Sequence, residues 1–195
     1  YLKKVKQRCE EVGALLIVDE IQTGIGRTGK FWGFEHFEII PDIIISGKGL
    51  GGGMPIGAFI AQKKLMDVLK EHPTLGHITT FGGHPVIASA GVATVNTIQN
   101  STLIEDTLEK EQLIRSLLKH PLIKEIRGKG LMLAALVESP EIAAKIIHRC
   151  LANGLILFFL LFEGRAIRIT PPLTISKKEI SKGCKILLEI LDELS

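Results

Sequence analysis

The sequence has few cysteines and lacks a long apolar run. Its three cysteines, Cys9, Cys150 and Cys184, are odd in number and widely spaced. This arrangement excludes a disulfide framework and a metal-ligand spacing, and it favours a reducing, cytoplasmic location. The longest apolar run, residues 155–162, is shorter than the ~20 residues that a membrane-spanning helix needs. The chain begins with Tyr1, and no secretory signal or transit peptide is predicted.

An excess of charge of one sign is also absent. The net charge is +3, and no basic stripe or polybasic cluster interrupts the sequence, so neither a nucleic-acid nor a membrane partner is predicted. Hydrophobic residues make up 46% and charged residues 23%, which is typical of a globular protein. His72, His77 and His84 lack the i, i+4 spacing of a helical metal pair, so no metal site is predicted.

Helix and strand patterns alternate throughout the chain, which predicts the α/β class. A helix is predicted to end at Gly13. Residues 14–18 form a continuous apolar run, which is typical of a parallel strand buried on both faces. Further strands are predicted at residues 42–46 and 56–61, and helices at residues 63–70 and 85–98. These elements define a predicted domain over residues 1–100 with a mostly parallel sheet.

The pattern changes near residue 101, which predicts a second domain, of the α+β type, over residues 101–195. Ser101, Ser139 and Ser176 are each predicted to cap a helix. Predicted strands cover residues 123–126, 131–137, 155–161 and 166–169. Phe158, Phe159 and Phe162 are predicted to pack in the core of this domain.

Asp19 and Lys48 are the first candidate site residues, because each follows a predicted strand and α/β sheets bind ligands at the carboxyl ends of their strands. A carboxylate at the end of a buried strand needs a cationic or hydrogen-bonding partner. Each residue alone also fits an ordinary role, Asp19 as a capping or salt-bridged acid and Lys48 as an exposed loop lysine. A Walker loop is excluded, because Gly49 replaces the serine or threonine and Asp42 replaces the first glycine.

Together, the motifs resemble those of the class-III aminotransferases, the ornithine, acetylornithine and 4-aminobutyrate type. The resemblance rests on DEIQTGIGRTG at residues 19–29, PDI at 41–43, SGKG at 46–49 and GMPIGA at 53–58. It continues with TTFGGHP at residues 79–85, IRGKGL at 126–131 and IRITPPL at 167–173. Ile78 and His84 stand where the family usually has glycine and asparagine. The resemblance covers the whole chain and matches the carboxyl-terminal portion of the family.

This resemblance implies a role for each of five residues toward pyridoxal 5'-phosphate. Lys48 would carry the cofactor as a Schiff base, and a buried Asp19 would hold its ring nitrogen protonated. Gln22 would lie beside the ring's 3-oxygen, and Thr80 would donate to the cofactor phosphate of the neighbouring subunit in a homodimer. Arg168 would bind the substrate carboxylate, although without the motif it equally fits a surface arginine on a strand.

The implied fold is a partial large domain of a fold-type-one pyridoxal-phosphate transferase followed by a small domain. The implied function is transfer of an amino group from an ω-amino acid, of the ornithine or acetylornithine type, to 2-oxoglutarate. Two alternatives stay open. One is another class-III substrate such as 4-aminobutyrate, and the other is a catalytically silent piece of such an enzyme, since the family's phosphate loop, stacking aromatic residue and gating glutamate are expected to precede Tyr1.

Overall fold

The computed structural model describes residues 1–71 and 78–195, and the chain divides into two compact units. The first unit comprises residues 1–26 and 30–102, and the second comprises residues 27–29 and 103–195. Each unit has its own sheet, three-stranded in the first and four-stranded in the second. None of the helices in these described ranges is long and apolar enough to cross a membrane. His72 and His77 lie outside the described residues.

The first unit alternates between helix and strand, which confirms the predicted α/β class. Its elements are α1 (Leu2–Val12), β1 (Ile17–Asp19), β2 (Ile43–Gly47), β3 (Gly57–Ala61), α2 (Lys63–Asp67) and α3 (Pro85–Gln99). Short 3-10 helices cover Gly33–Phe37, Lys48–Gly51 and Val68–Lys70. α1 ends at Gly13, as predicted, because its φ of 69° lies in the left-handed region that glycine adopts readily.

The described sheet of the first unit is mixed, with the order β1-β2-β3. β1 runs parallel to β2, and Asp19 pairs with Ile45. β2 runs antiparallel to β3, and Gly47 pairs with Gly57. The expectation of a mostly parallel sheet therefore fits only one of these two pairings. The reason is the short connection between β2 and β3, since a parallel crossover needs a dozen or more residues.

The first strand is shorter and more exposed than its apolar sequence predicts. It covers Ile17–Asp19 rather than residues 14–18. Ile17 remains 53% exposed and Leu15 52% exposed. The prediction of a strand buried on both faces is therefore wrong for the described residues. A run of apolar residues reports what a strand can bury, and the burial itself depends on which elements pack against it.

The second unit is built from one antiparallel sheet and three helices. Its elements are α4 (Leu103–Leu117), β4 (Glu125–Lys129), β5 (Met132–Leu136), α5 (Pro140–Ala152), β6 (Phe158–Phe159), β7 (Ala166–Ile169) and α6 (Lys177–Asp192). The strand order is β4-β5-β7-β6, and every neighbouring pair is antiparallel. The predicted strand at residues 166–169 is found with the same bounds. The strand predicted at residues 123–126 begins later, at Glu125, where it pairs with Leu136.

The core of the second unit lies between one face of its sheet and the helices. Alternate residues of β5 and β7, including Leu133, Ala135 and Ile167, are less than 3% exposed. Burying a large aliphatic side chain contributes about 1.5–3 kcal/mol, so this face stabilises the unit strongly. The buried helical partners include Ile114, Ile146, Cys150, Cys184, Leu187 and Leu191.

Three phenylalanines predicted for this core lie at the surface instead. Phe158 is 60% exposed, Phe159 48% and Phe162 101%. The predicted strand at residues 155–161 shortens to two residues, which pair only with β7 at the edge of the sheet. An edge strand leaves its outer side uncovered, so the apolar composition of this segment did not determine its burial.

The predicted serine caps are present at α5 and α6. Ser139 Oγ accepts a hydrogen bond from the backbone N–H of Ile142 at 3.3 Å. At α6, Ser176 Oγ accepts from the backbone N–H of Glu179 at 3.2 Å, and Glu179 Oε2 accepts from the backbone N–H of Ser176 at 2.8 Å. This reciprocal pair is a capping box, and it satisfies two donors that the first helical turn would otherwise leave unpaired.

Replacing Ser176 with alanine is expected to lower the free energy of unfolding of the second unit by about 1 kcal/mol, because both reciprocal bonds require its side chain or the geometry that it sets. Urea denaturation followed by far-UV circular dichroism measures the change. Ser181→Ala is the matched control, since Ser181 lies inside the same helix and donates only to the carbonyl of Lys177. Equal effects of the two substitutions would contradict the capping role.

Candidate active site

Lys48 lies directly after β2, at the start of a 3-10 helix, and its side chain is exposed. Its φ of 41° lies in the left-handed region, which costs a non-glycine residue about 1–2 kcal/mol. The neighbouring backbone is tightly packed, because a Cβ atom at Gly47 would lie 3.1 Å from the carbonyl oxygen of Ile56. Strained backbone at an exposed lysine is typical of a functional position.

Asp19 is the last residue of β1 and lies at the same edge of the sheet as Lys48. It pairs with Ile45 of the parallel strand β2, and Lys48 follows Ile45 by three residues. Asp19 Oδ1 accepts a hydrogen bond from the backbone N–H of Ile21 at 2.9 Å, which orients the carboxylate in the turn after β1. The side chain is exposed, so the expectation that Asp19 is buried is wrong for the described residues.

Glu20 is the buried acid of this turn, and it was not recognised from the sequence. It is 2% exposed, and its carboxylate accepts hydrogen bonds from Thr23 Oγ1 at 2.5 Å and from the backbone N–H groups of Gly33 at 2.9 Å and Phe34 at 2.7 Å. Its own backbone N–H donates to the carbonyl of Ile45 at 2.8 Å. Glu20 therefore joins the turn after β1 to the following 3-10 helix and to β2.

The close packing around Glu20 explains part of the glycine content of this loop. A Cβ atom at Gly33 would lie 2.9 Å from Thr23 Cβ and 3.1 Å from Glu20 Oε2. A Cβ atom at Gly24 would lie 2.8 Å from the carbonyl oxygen of Glu20 and from the ring of Trp32. The two adjacent acids in the sequence were the available signal, since neighbouring side chains at a strand end point to opposite sides and can have different surroundings.

Gln22 and Thr80 also belong to the first unit and are exposed. Gln22 lies in the turn held by Glu20, three residues after Asp19. Thr80 lies in the turn before α3, where the backbone N–H of Gly82 donates to the carbonyl of Thr79 at 3.2 Å. The structure thus places four predicted site residues in the first unit, with Asp19 and Lys48 on neighbouring strand ends.

Arg168 belongs to the second unit and lies on β7. It is partly buried and pairs with Ala134 of β5 on one side and with Phe158 of β6 on the other. Because side chains alternate along a strand, Arg168 lies on the face opposite the core residues Ile167 and Ile169. Arg168, the residue predicted to bind a carboxylate, therefore lies on a strand with a neighbour on each side, which restricts the position of its backbone.

The family model of the class-III aminotransferases matches residues 1–191. The chain belongs to this family. It is 40% identical over 199 residues to the acetylornithine aminotransferase of Caldanaerobacter subterraneus subsp. tengcongensis, covering 100% of this chain and 49% of that protein. It is also 40% identical to a leucine/methionine racemase of Thermococcus litoralis, over 94% of this chain and 43% of that protein.

Solved structures agree with this class-III assignment. The ornithine aminotransferase of Toxoplasma gondii superposes with a TM-score of 0.89 at 34% identity, over 99% of this chain and 46% of that one. That structure is described as showing partial occupancy of PLP at its active site. The acetylornithine aminotransferase of Elizabethkingia anophelis gives a TM-score of 0.89 at 36% identity, over 98% of this chain and 51% of that one. This class-III chain therefore spans about half the length of the relatives it matches.

The residues of this class-III chain fit two ends of pyridoxal phosphate. An exposed lysine suits the aldehyde, and an exposed carboxylate on the neighbouring strand suits a protonated ring nitrogen. Ser46 Oγ, two residues before Lys48, is buried and has no hydrogen-bond partner among the described residues. Buried hydroxyl groups normally have a partner, so the packed end of β2 has hydrogen-bonding capacity for a further group. In the described ranges, no group of three or more histidines, cysteines or acids is arranged to hold a metal ion.

Proposed function

We propose that the full-length protein is a pyridoxal-phosphate-dependent transaminase. It moves an amino group from an ω-amino acid of the ornithine or acetylornithine type to 2-oxoglutarate. The observation that carries this proposal is the placement of Lys48 and Asp19 on adjacent parallel strand ends in a chain of the class-III family. An amine and a carboxylate at one sheet edge are what an aldehyde cofactor with a basic ring nitrogen requires.

When bound, the cofactor supplies an electron sink for the electrons released at the substrate's reacting carbon. Lys48 would hold the cofactor through its amine, and its free amine would move a proton as general base and then as general acid. Asp19 would keep the ring nitrogen protonated, because a carboxylate beside a cationic nitrogen favours its charged form. The hydrogen bond from the backbone N–H of Ile21 orients this carboxylate.

The other residues bind and orient. Gln22 would bind beside the ring's 3-oxygen, and the Thr80 hydroxyl would donate to the cofactor phosphate of the neighbouring subunit in a cytoplasmic homodimer. Arg168 binds the substrate carboxylate, for which a planar guanidinium offers two parallel donors. Residues 1–100 act as the cofactor-binding domain and residues 101–195 as the small domain. The remaining length found in the relatives supplies the other contacts to the cofactor, so the 195-residue chain alone is expected to be inactive.

The names of the relatives suggest several amino donors. Three of the relatives are acetylornithine aminotransferases, and ornithine aminotransferases are among the structural neighbours. A putrescine aminotransferase of Pectobacterium atrosepticum is 40% identical over 100% of this chain. 4-Aminobutyrate remains an alternative donor. A leucine/methionine racemase and an alanine/serine racemase are also among the relatives.

The full-length protein loaded with pyridoxal phosphate is expected to form glutamate from 2-oxoglutarate when N-acetylornithine or ornithine is the donor. Liquid chromatography of the products measures this, with 4-aminobutyrate and putrescine as competing donors. The control reaction omits the donor. Absence of glutamate with every donor, together with conversion of L-leucine or L-alanine to its D-form on a chiral column, would replace the proposal with racemisation.

A further inference from the structure

The segment after Arg168 has unusual hydrogen bonding, because Pro171 and Pro172 lack backbone N–H groups. Two carbonyl groups of this segment accept hydrogen bonds from cationic side chains. Arg27 Nη1 donates to the carbonyl of Pro171 at 2.5 Å, and Lys110 Nζ donates to the carbonyl of Leu173 at 2.6 Å. Both donors belong to the second unit, as Arg168 does. The backbone that follows β7 is therefore held by the side chains of Arg27 and Lys110 and not by hydrogen bonds to a neighbouring strand.

Arg27 is itself fixed by its own backbone. The backbone N–H of Leu131 donates to the carbonyl of Arg27 at 3.0 Å, and Arg27 Nη1 donates to the carbonyl of Leu131 at 3.2 Å. A Cβ atom at Gly130 would lie 2.6 Å from the Arg27 carbonyl oxygen, so this close approach requires glycine. A Cβ atom at Gly29 would lie 2.6 Å from the side chain of Leu108 in α4. The backbone that carries the Arg27 side chain therefore has little freedom to move.

Arg27 and Arg168 also influence each other electrostatically. Burial lowers the pKa of the Arg27 guanidinium, and the positive charge of Arg168 lowers it further. Two like charges that repel each other are both stabilised when an anion binds between or beside them. A carboxylate held by Arg168 would thus gain from the charge of Arg27 as well as from direct hydrogen bonds.

We propose that Arg27 is a positioning residue for the carboxylate site at Arg168, which it serves by holding the end of β7 through Pro171 and by adding a second positive charge. This inference rests on the proposed function, in which Arg168 binds the substrate carboxylate. The planar fork of arginine suits this position, because it reaches the carbonyl groups of Leu131 and Pro171 together. Lys110 holds the same segment by a single carbonyl group and serves as the comparison.

The test uses the full-length protein and glutarate, a dicarboxylate that binds without reacting. Isothermal titration measures the Kd of glutarate at low and at high NaCl for Arg27→Met, Lys110→Met and Arg168→Met. Arg27→Met is expected to weaken glutarate binding about tenfold or more and to flatten its salt dependence, since a charge near the anion is lost. Lys110→Met is expected to change the Kd less than about threefold and to leave the salt dependence unchanged.

Arg27→Lys keeps the charge if Arg27→Met does not fold, and it is expected to retain the salt dependence of the unmodified protein while binding glutarate more weakly. If Arg27→Met weakens binding no more than Lys110→Met does, and the salt dependence is unchanged, Arg27 is only a structural anchor and the inference fails. If Arg168→Met itself leaves glutarate binding intact, the assignment of Arg168 in the proposed function is the part that fails.

Discussion

Replacing Lys48 with alanine in the full-length protein is expected to abolish covalent attachment of the cofactor and to lower the transamination rate by roughly 10²–10⁴-fold or more. The reason is that one amine both anchors the aldehyde and transfers the proton, and alanine can do neither. Borohydride reduction in the presence of pyridoxal phosphate, followed by peptide mass spectrometry, measures the attachment. Initial rates of glutamate formation measure the second effect.

Lys30→Ala is the matched control for this experiment. Lys30 is an exposed lysine of the first unit in the loop that follows β1, so its loss changes the charge equally without touching the strand end. The reduced pyridoxyl group should then remain on Lys48, with the rate nearly unchanged. A pyridoxyl group found on another lysine in the unmodified protein, or full activity of the Lys48→Ala variant, would refute the assigned mechanism.

The largest stability effect is expected at Gly128, near the end of β4, where it pairs with Leu133 of β5. Its φ of 112° belongs to glycine, and a Cβ atom there would lie 2.0 Å from the carbonyl oxygen of Met132. Backbone atoms cannot move aside as a flexible side chain can. Gly128→Ala is therefore expected to lower the free energy of unfolding by about 3 kcal/mol or more, since backbone strain and overpacking add.

The loss of stability should extend beyond β4. Arg115 of α4 donates to the carbonyl groups of Ile126 at 2.6 Å and of Gly128 at 2.9 Å, and its Nε donates to Glu111 at 2.8 Å. Glu111 in turn accepts from the backbone N–H of Gly130 at 2.5 Å. Displacement of the end of β4 would weaken these bonds together, because they share the same short stretch of backbone.

Gly154→Ala separates backbone strain from steric clash. Gly154 also has a positive φ, 81°, but a Cβ atom there would meet no atom within 4 Å. Its substitution is expected to cost only about 1–2 kcal/mol. Urea denaturation followed by circular dichroism compares the two variants. Equal costs at Gly128 and Gly154 would show that the close contact with Met132 is relieved without strain.

Local rules predicted several elements correctly. The strand at residues 166–169 and the helix caps at Ser139 and Ser176 depend on neighbours within three or four positions, so the sequence contained the information. The meeting of Asp19 and Lys48 at one sheet edge followed from the rule for parallel strand ends, and the β1–β2 register agrees with it. The catalytic roles of these two residues stay predictions.

Contacts between distant positions were not predictable in this way. The apolar segment with Phe158 and Phe159 lies at a sheet edge and stays exposed. In the sequence, Arg27 was only one residue of the motif at 19–29. The fold shows that its guanidinium donates to the carbonyl group of Pro171, 144 positions later. Such pairings depend on how strands and loops assemble, which residue patterns over a few positions do not encode.

The sequence by itself determined the family, the α/β class and the reactive groups, because side-chain chemistry and short motif spacing are properties of the chain. Tertiary structure decided how those groups are used. Of two adjacent acids, Asp19 is exposed at the strand end, whereas Glu20 is buried and holds the loop. Strand geometry turns neighbouring side chains to opposite sides, and the backbone N–H groups of Gly33 and Phe34, brought close by folding, stabilise the carboxylate on one side only.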